Sequence, residues 1–563
     1  MIIDAAPWIA RKRRARMAPI LLLGLAGRLL WSSDTVLLNG HIYTADPQKH
    51  WVEALAVTGD KIEAVGSNAE IARHRSANTK VIDLQGKTVI PGITDGHVHL
   101  WFGALALHGF NLSTPQSNIT PKDSDLLVGR IKDYAASHPK DPVIFGRVDF
   151  ITEYTNAGSA YKKPTVTHEI LDRGVPDRPL VIHDASEHAL WVNQKTLDLA
   201  HISDAPVSDR SIEENILRDA HGHRSGVVME GAMELVERAL PDPPLEVKFE
   251  WLKQAMHYLN GFGITSATMA TGNLADIELL GKMRDRGLLT LRTRTAFGAV
   301  AVNHHLTPQF LADLEKARSN YHDSWVSANL VKFFSDGLTD PPVYTLDELQ
   351  KLYLELDKRG YQLMTHSIGV DSARMVLDAY QATEKINGPR DRRFRMEHAD
   401  YLNPEDLARF RQLSVIASMQ PSFCCNSGTL GRVKIDTWNS LLKSGAMVTF
   451  SSDWPCTWPP DPMAAIQETM TREVLREITP HGPIGKIEYD QPQERLSAEQ
   501  SVLAYTRDAA YANFAEKSSG TIEPGKLADL AVLSRDIFSA LPGDVGKTHV
   551  TMTMVGGKIV FEQ

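Results

Sequence analysis

Val89-Ile90-Pro91-Gly92-Ile93-Thr94-Asp95-Gly96-His97-Val98-His99 is a short apolar run that ends in two histidines one residue apart. Side chains alternate faces along an extended strand, so His97 and His99 project to the same side and can grip one metal ion. Such a pair is weak evidence alone, because histidines also cap strand ends through ordinary hydrogen bonds. Its weight comes from similar runs farther along the chain. Asn329-Leu330-Val331-Lys332-Phe333-Phe334 buries a lysine among hydrophobes, and Tyr361-Gln362-Leu363-Met364-Thr365-His366 ends in histidine. Phe394-Arg395-Met396-Glu397-His398 ends in another, and Met447-Val448-Thr449-Phe450-Ser451-Ser452-Asp453 ends in a carboxylate.

These runs belong to a longer series. Apolar strand candidates fall at 89–94, 263–269, 289–297, 329–334, 362–366, 394–398, 414–420 and 447–452. Helical apolar spacing over Leu245 to Leu259, Ala275 to Asp285, Leu346 to Lys358, Ser372 to Glu384 and Pro404 to Gln412 separates most of them. This alternation predicts an α/β fold: a parallel (β/α)8 TIM-like barrel over residues 89–518, with reactive groups at the C-terminal ends of its strands. The gap between the first two strands is too long for a connection and reads as an inserted subdomain, residues 101–255. Its own strand candidates are Pro142 to Phe150, Leu180 to His183 and Gly226 to Glu230, and it leaves from the rim where it can cover a pocket. Short strands with intervening turn pairs over 34–88, and again over 519–563, predict a small β-sandwich domain built from both chain ends.

Composition narrows the function classes. Apolar content of 43% and charged content of 23% are those of a soluble globular chain, and a formal charge of -9 gives no footprint for nucleic acid. Three cysteines, Cys424, Cys425 and Cys456, support neither a disulfide framework nor a cysteine-rich zinc knuckle. Adjacent Cys424 and Cys425 read as small apolar residues. Residues 1–33 differ from the rest: Arg11-Lys12-Arg13-Arg14-Ala15-Arg16 precedes an apolar run from Met17 to Gly27, which resembles a secretory signal. Arg28 interrupts that run, no small-X-small cleavage site lies beyond it, and the segment is too short to span a bilayer. It is set outside the fold as a signal or an extended start, with Met17 an alternative initiator. No stable membrane insertion is expected, and a cytoplasmic location is favoured over export.

Imidazoles and carboxylates can hold two divalent ions about 3.5–4 Å apart around a shared hydroxide. Lysine is a poor ligand as an ammonium. Carboxylated by carbon dioxide, Lys332 becomes a carbamate whose two oxygens can bridge both ions, and its apolar neighbours favour the neutral amine that this reaction needs. The other reading of a buried lysine is an ion pair with Asp336 or another carboxylate.

The order of these motifs resembles the amidohydrolase superfamily. Ile90 to His99, Asp336-Gly337, His366-Ser367-Ile368-Gly369, Arg395-Met396-Glu397-His398, Ser452-Asp453-Trp454-Pro455 and Ser519 to Leu530 resemble, more narrowly, its YtcJ-like branch, similar to N-substituted formamide deformylase. The resemblance spans about residues 34–563. It implies that His97, His99 and Asp453 bind one metal, that His366 and His398 bind a second, and that carboxylated Lys332 bridges them. It also implies that Asp453 is the general base, and that the reaction is hydrolysis of an amide or similar C–N bond in a small molecule by a metal-bridging hydroxide. Histidine and carboxylate donors suit Zn2+, while Mn2+, Fe2+ and Co2+ also fit. The same site would serve a carbamate, lactone or ester hydrolase, and a non-catalytic scaffold is the alternative from another class. Single-metal deaminases of the superfamily lack the strand-four lysine.

Two departures from the branch stand out. An acidic residue usually sits one place nearer the strand-five histidine than Asp371 does, and Ser451 replaces a glycine. In the insert, Glu187-His188-Ala189-Leu190-Trp191-Val192-Asn193 resembles a segment that reaches the pocket, so His188 is a candidate donor to the substrate carbonyl or else a structural residue. Trp101, Phe102, Trp454 and Trp458 come just after ligand-bearing strand ends and suggest either an aromatic pocket for a hydrophobic substrate or packing beneath the loops. Homo-oligomerisation is left open.

Overall fold

The computed structural model describes residues 33–112, 124–148, 151, 164, 166–298, 305–337, 342–423, 434–473, 478–479, 482–483 and 491–563. Cys424, Cys425, the segment before Ser33, and Asp149 and Phe150 at the end of an expected strand lie outside them. The central sheet is parallel and runs in chain order: β1 (Ile93–Val98), β2 (Ile264–Gly272), β3 (Arg292–Gly298), β4 (Val326–Phe334), β5 (Gln362–Ser367), β6 (Arg395–His398), β7 (Ile416–Met419) and β8 (Met447–Phe450). Helices Leu274–Asp285, Pro308–Asn320, Leu346–Lys358, Val370–Asn387, Leu407–Gln412 and Trp438–Ser444 connect successive strands from β2 onward. Leu346–Lys358 illustrates the local logic. A capping box of Thr345 with Glu348 starts it, and Leu349, Leu352, Tyr353 and Leu356 form the one buried stripe laid on the sheet. Pro308–Asn320 and Trp438–Ser444 were not expected from apolar spacing. The first buries only Leu314 and Ala317, and the second is too short to show a period.

The barrel closes where β1 meets the chain just past β8. The Asp453 N–H donates to the His97 carbonyl at 2.9 Å, and the His99 N–H donates to the Trp454 carbonyl at 2.7 Å. Strand one corrects the expected 89–94 run. Thr88–Pro91 belongs to a different sheet, and the barrel strand begins at Ile93. Gly92 makes the crossing, since a Cβ there would lie 2.2 Å from the Thr265 hydroxyl.

Both chain ends meet beneath the barrel. Lys61–Gly66, Ala54–Thr58, Thr35–Leu38 and Lys80–Asp83 form one sheet; Lys558–Glu562, Val550–Val555, Leu530–Leu533, Thr88–Pro91, His41–Tyr43 and Trp51–Val52 form another. Leu37, Leu55, Val89, Leu530 and Met552 share the core between them. Asp529, just before one of these strands, pairs with Arg292 at the start of β3 through two bonds of 2.7 and 3.1 Å. The insert carries a third sheet, ordered Ile216–Arg218, Arg224–Met229, Ala189–Val192, Leu180–Asp184, Ile144–Val148 and Phe110–Asn111. One face covers its own core with Ile144, Val148, Ile182 and Trp191, and the other joins the barrel core through Phe145, Val181, Leu190 and Val228. Among the described residues no helix is long and apolar enough to cross a membrane.

Helix Leu100–His108 packs on the turn after β8 through Gly103, where a Cβ would fall 2.0 Å from the buried Trp454 ring. Gly103→Ala is expected to lower stability by about 1–3 kcal/mol through overpacking. Its urea unfolding midpoint compared with the parent checks this, and an unchanged midpoint would mean that the helix slides freely.

Candidate metal centre

His97 is the last but one residue of β1, His99 stands just past its end, and Asp453 stands past β8, so the closing seam gathers three donors at the C-terminal rim. Ligand atoms of these three residues lie within 4.8 Å of one another. Asp453 Oδ1 is 3.2 Å from His99 Nε2 and 3.5 Å from His97 Nε2, yet this buried oxygen has no hydrogen bond of acceptable geometry. His97 Nδ1 donates to Glu397 Oε2 at 2.6 Å, which leaves the Nε2 lone pair facing Asp453 Oδ1 at 3.5 Å and Lys332 Nζ at 3.3 Å. Converging lone pairs of this kind are the donor set of a divalent cation. Burial, with Lys332 and neighbouring cationic groups, holds His97 well below the usual imidazole range, so the imidazole is neutral.

Lys332, in β4, is fully buried, with Nζ 3.3 Å from His97 Nε2. Burial pushes its ammonium down to about 8, against the pull of Glu397 and Asp453. His366 lies near the end of β5 and His398 ends β6, with ring centroids 4.4 Å apart, and His398 is 5.1 Å from His97. Burial also holds both of these imidazoles well below the usual range, His398 next because of His97 and His366 next because of His398. The structure therefore brings all six residues from the rim motifs together, although the tight three-residue group contains only His97, His99 and Asp453. His366 Nε2 donates to the Gly337 carbonyl at 3.2 Å.

The shell behind these donors is where sequence reasoning fell short. Arg395 donates from Nε to Glu397 Oε1 at 2.8 Å and from Nη2 to the Gly96 carbonyl at 2.6 Å, fixing the carboxylate that orients His97. Glu397 sits inside the strand-six motif, but in a strand its side chain would be expected to face away from His398, and nothing in the sequence tells that it meets β1. Gln420 Oε1 accepts from His398 Nδ1 at 2.7 Å, while its amide donates to Ser451 Oγ at 2.8 Å. The serine that replaces the branch's glycine thus anchors the amide that holds the His398 ring. Asp336 accepts from the Ile368 and Gly369 amides, and Asp371 is exposed in the first turn of Val370–Asn387. Asp95 accepts from the Ser452 amide at 2.9 Å and is pushed up to about 7 by burial. His398 (φ 70°), Asp453 (φ 56°) and Glu230 (φ 44°) adopt left-handed backbone, the kind of strain that clusters at functional sites.

The insert presents His188 over the rim, its ring 5.8 Å from His366 and its Nδ1 donating to Glu230 Oε1 at 3.0 Å. Burial pushes His188 down, but the Glu230 carboxylate more than reverses this and raises it to about 8. Of the four rim aromatics, Phe102 lies between His99 and His183, at 5.9 and 5.3 Å. Of the other three, Trp101 packs on Trp251, Trp458 stacks on Tyr258 and Trp454, and the buried Trp454 is tilted against Tyr258.

Comparison with known proteins supports the same frame. The chain is 26% identical to N-substituted formamide deformylase of Arthrobacter pascens, covering 94% of this chain and 98% of that protein. It is 27% identical to the putative amidohydrolase YtcJ of Bacillus subtilis (strain 168), covering 93% and 99%. It is 26% identical to the protein LONG AFTER FAR-RED 3 of Arabidopsis thaliana, covering 94% and 92%. An uncharacterized metal-dependent hydrolase from Pyrococcus horikoshii OT3 shares the fold, with a TM-score of 0.69 at 21% identity over 90% of this chain and 99% of that one. The model of the Amidohydrolase family matches residues 80–561, from the last strands before the barrel to the end of the closing sheet, and the chain belongs to that family.

Proposed function

We propose that the protein is a hydrolase that cleaves a carbon–nitrogen bond of the N-acyl or N-formyl amide type in a small substrate, using two divalent metal ions. The observation that carries this reading is Lys332 Nζ, fully buried and 3.3 Å from His97 Nε2, set among four histidines and Asp453. A lysine there serves neither as a lone ammonium nor as a surface charge. Its lowered pKa favours the neutral amine, which adds to carbon dioxide with loss of one proton to give a carbamate. In this reading His97, His99 and Asp453 would hold one ion and His366 and His398 the other, with Lys332 as its carbamate completing the donor set. The donors suit Zn2+ first, with Mn2+, Fe2+ or Co2+ as alternatives.

Bound ions of this kind supply Lewis acidity toward the scissile carbonyl and a water that ionises near neutral pH. The chain's own groups do the rest. Burial pushes the Asp453 carboxyl up, but His97, His99 and Lys332 overcome it and hold the group below the usual carboxylate range, so it is ionised. Its Oδ1 faces the two histidines, which leaves Oδ2 to take a proton from the attacking water and pass it to the leaving nitrogen. His188, protonated at neutral pH and oriented by Glu230, donates from Nε2 to the carbonyl oxygen as negative charge develops there. Phe102 offers an apolar wall beside His99. The amide reading draws on the relative named as an N-substituted formamide deformylase.

Protein purified without chelator is expected to carry divalent metal. Less than about half an ion per chain, with no activity restored by zinc or manganese, would sink the proposal. Asp453→Asn should keep the fold, since asparagine tolerates the left-handed backbone at this position, and lose about 10²–10⁴-fold in kcat. Wild-type kcat/KM should fall as pH rises through about 8, where His188 loses its second proton. His188→Asn should be slower and lack that limb; an identical profile would remove His188 from the reaction. Glu397→Gln should weaken metal binding by about 10–100-fold in chelator competition, because the charged partner of His97 Nδ1 is gone.

A further inference from the structure

We propose that the turn 453–456 couples the candidate metal centre to the insert, so that a divalent ion held through Asp453 docks the insert turn 184–188 and sets the His188 ring over the rim. Arg147 and Cys456 act in this as positioning residues. The inference rests on the metal centre proposed above and not on the bond that is cleaved. On its barrel side the turn is fixed at its first two residues, by the Asp453 amide on the His97 carbonyl and the His99 amide on the Trp454 carbonyl. The Cys456 amide donates back to the Asp453 carbonyl at 2.8 Å, which makes the four residues one compact unit. Its last two residues meet the insert. Among the described residues two polar bonds cross there: Arg147 Nη2 donates to the Pro455 carbonyl at 3.0 Å, and the Cys456 thiol donates to the Ser186 carbonyl at 3.6 Å.

On the insert these bonds end at the root of His188. Arg147 lies in the strand Ile144–Val148, opposite His183 in parallel register. Ser186 stands in a tight turn: its amide and hydroxyl donate to Asp184 Oδ1 at 3.1 and 2.7 Å, and the Glu187 amide donates to the Asp184 carbonyl at 3.1 Å. Glu187 is in left-handed backbone at φ 60°, and the His188 amide donates to Ser186 Oγ at 3.1 Å. A shift of the Ser186 carbonyl therefore carries the His188 backbone with it. Apolar packing of Phe145, Val181 and Leu190 on the barrel core seats the insert sheet without fixing this turn, because such packing is non-directional. Direction comes from the two polar bonds. At the other end of the unit, the buried Asp453 Oδ1 has no hydrogen bond of acceptable geometry, and Asp453 is in left-handed backbone at φ 56°. A cation on that oxygen ties down the side chain of the turn, and whatever stiffens the turn stiffens its hold on Ser186. Linkage makes the effect mutual: the docked insert raises metal affinity by the factor with which metal favours docking.

The test is hydrogen exchange of the full-length protein, stripped with chelator and then loaded with zinc, read over residues 184–190 and over the seam at 97–99 and 453–454. In the wild type zinc should slow exchange in both regions by at least about tenfold. In the double variant Arg147→Met with Cys456→Ala, zinc should still slow exchange at the seam but change 184–190 by less than about twofold. Zinc affinity of that variant in chelator competition should fall by at least about fivefold. Zinc retained by the wild type with no protection at 184–190 overturns the coupling and leaves the metal centre standing. So does a zinc effect at 184–190, or a zinc affinity, that the double variant leaves unchanged. Exchange at 184–190 that the variant speeds by the same factor with and without zinc marks a merely structural tie and also overturns the coupling. No zinc retained by the wild type fails the metal centre, and the coupling with it. If the double variant does not fold, Cys456→Ala alone decides: at least about a twofold loss of the zinc effect supports the coupling, and an unchanged effect overturns it.

Discussion

The hydrogen bond from the Asp453 amide to the His97 carbonyl carries more of this molecule than its length suggests. A parallel barrel must join its last strand to its first, and here β8 ends at Phe450, before that join is made. The seam is completed by the residues just beyond it, and those residues hold the candidate donors. Closing the barrel and assembling His97, His99 and Asp453 are therefore one event. This explains why the left-handed backbone at Asp453 is tolerated: the bonds on either side of the seam over-determine it.

Electrostatics then divides the centre into two kinds of burial. His97, His366 and His398 are neutral because charging an imidazole there costs more than its partners return, which is what a metal ligand requires. Behind them Arg395 and Glu397 share two bonds with each other and direct the rest to Gly96, Ser418 and His97. The carboxylate is thus a rigid acceptor that selects one tautomer of His97. On the facing insert the same device recurs with opposite outcome: Glu230 keeps His188 protonated, and so turns an imidazole into a donor.

Much of this was legible in the chain. Each rim donor lies in or closes an apolar run, so the eight-strand count and the order of His97, His99, Lys332, His366, His398 and Asp453 emerge from local pattern. What was not legible depends on residues meeting across the sheet. Glu397 reaching β1, Ser451 holding Gln420, and Asp336 capping the loop after β5 have no sequence periodicity to announce them. The run at 89–94 was ambiguous for a different reason: buried strands of two sheets adjoin without a polar break, and only the close approach of Gly92 to Thr265 divides them. For the rim tryptophans local pattern leaves two roles open, because a large ring at a strand end serves equally as pocket wall or as filler beneath a loop, and Trp454 is filler against Gly103.

The sheet that joins the two chain ends carries a consequence for synthesis. Leu530–Leu533 is inserted between Thr88–Pro91 and Val550–Val555, with Ala531 opposite Ile90. As the chain leaves the ribosome, Thr88–Pro91 emerges long before its partner Leu530–Leu533, with the whole barrel made in between. Throughout that interval an apolar strand edge stands open, of the sort that pairs with other chains. Loss of only the final strands would leave the catalytic barrel's residues all present but expose this edge permanently, so the far C-terminus acts as the closing stitch of a protein whose chemistry lies elsewhere.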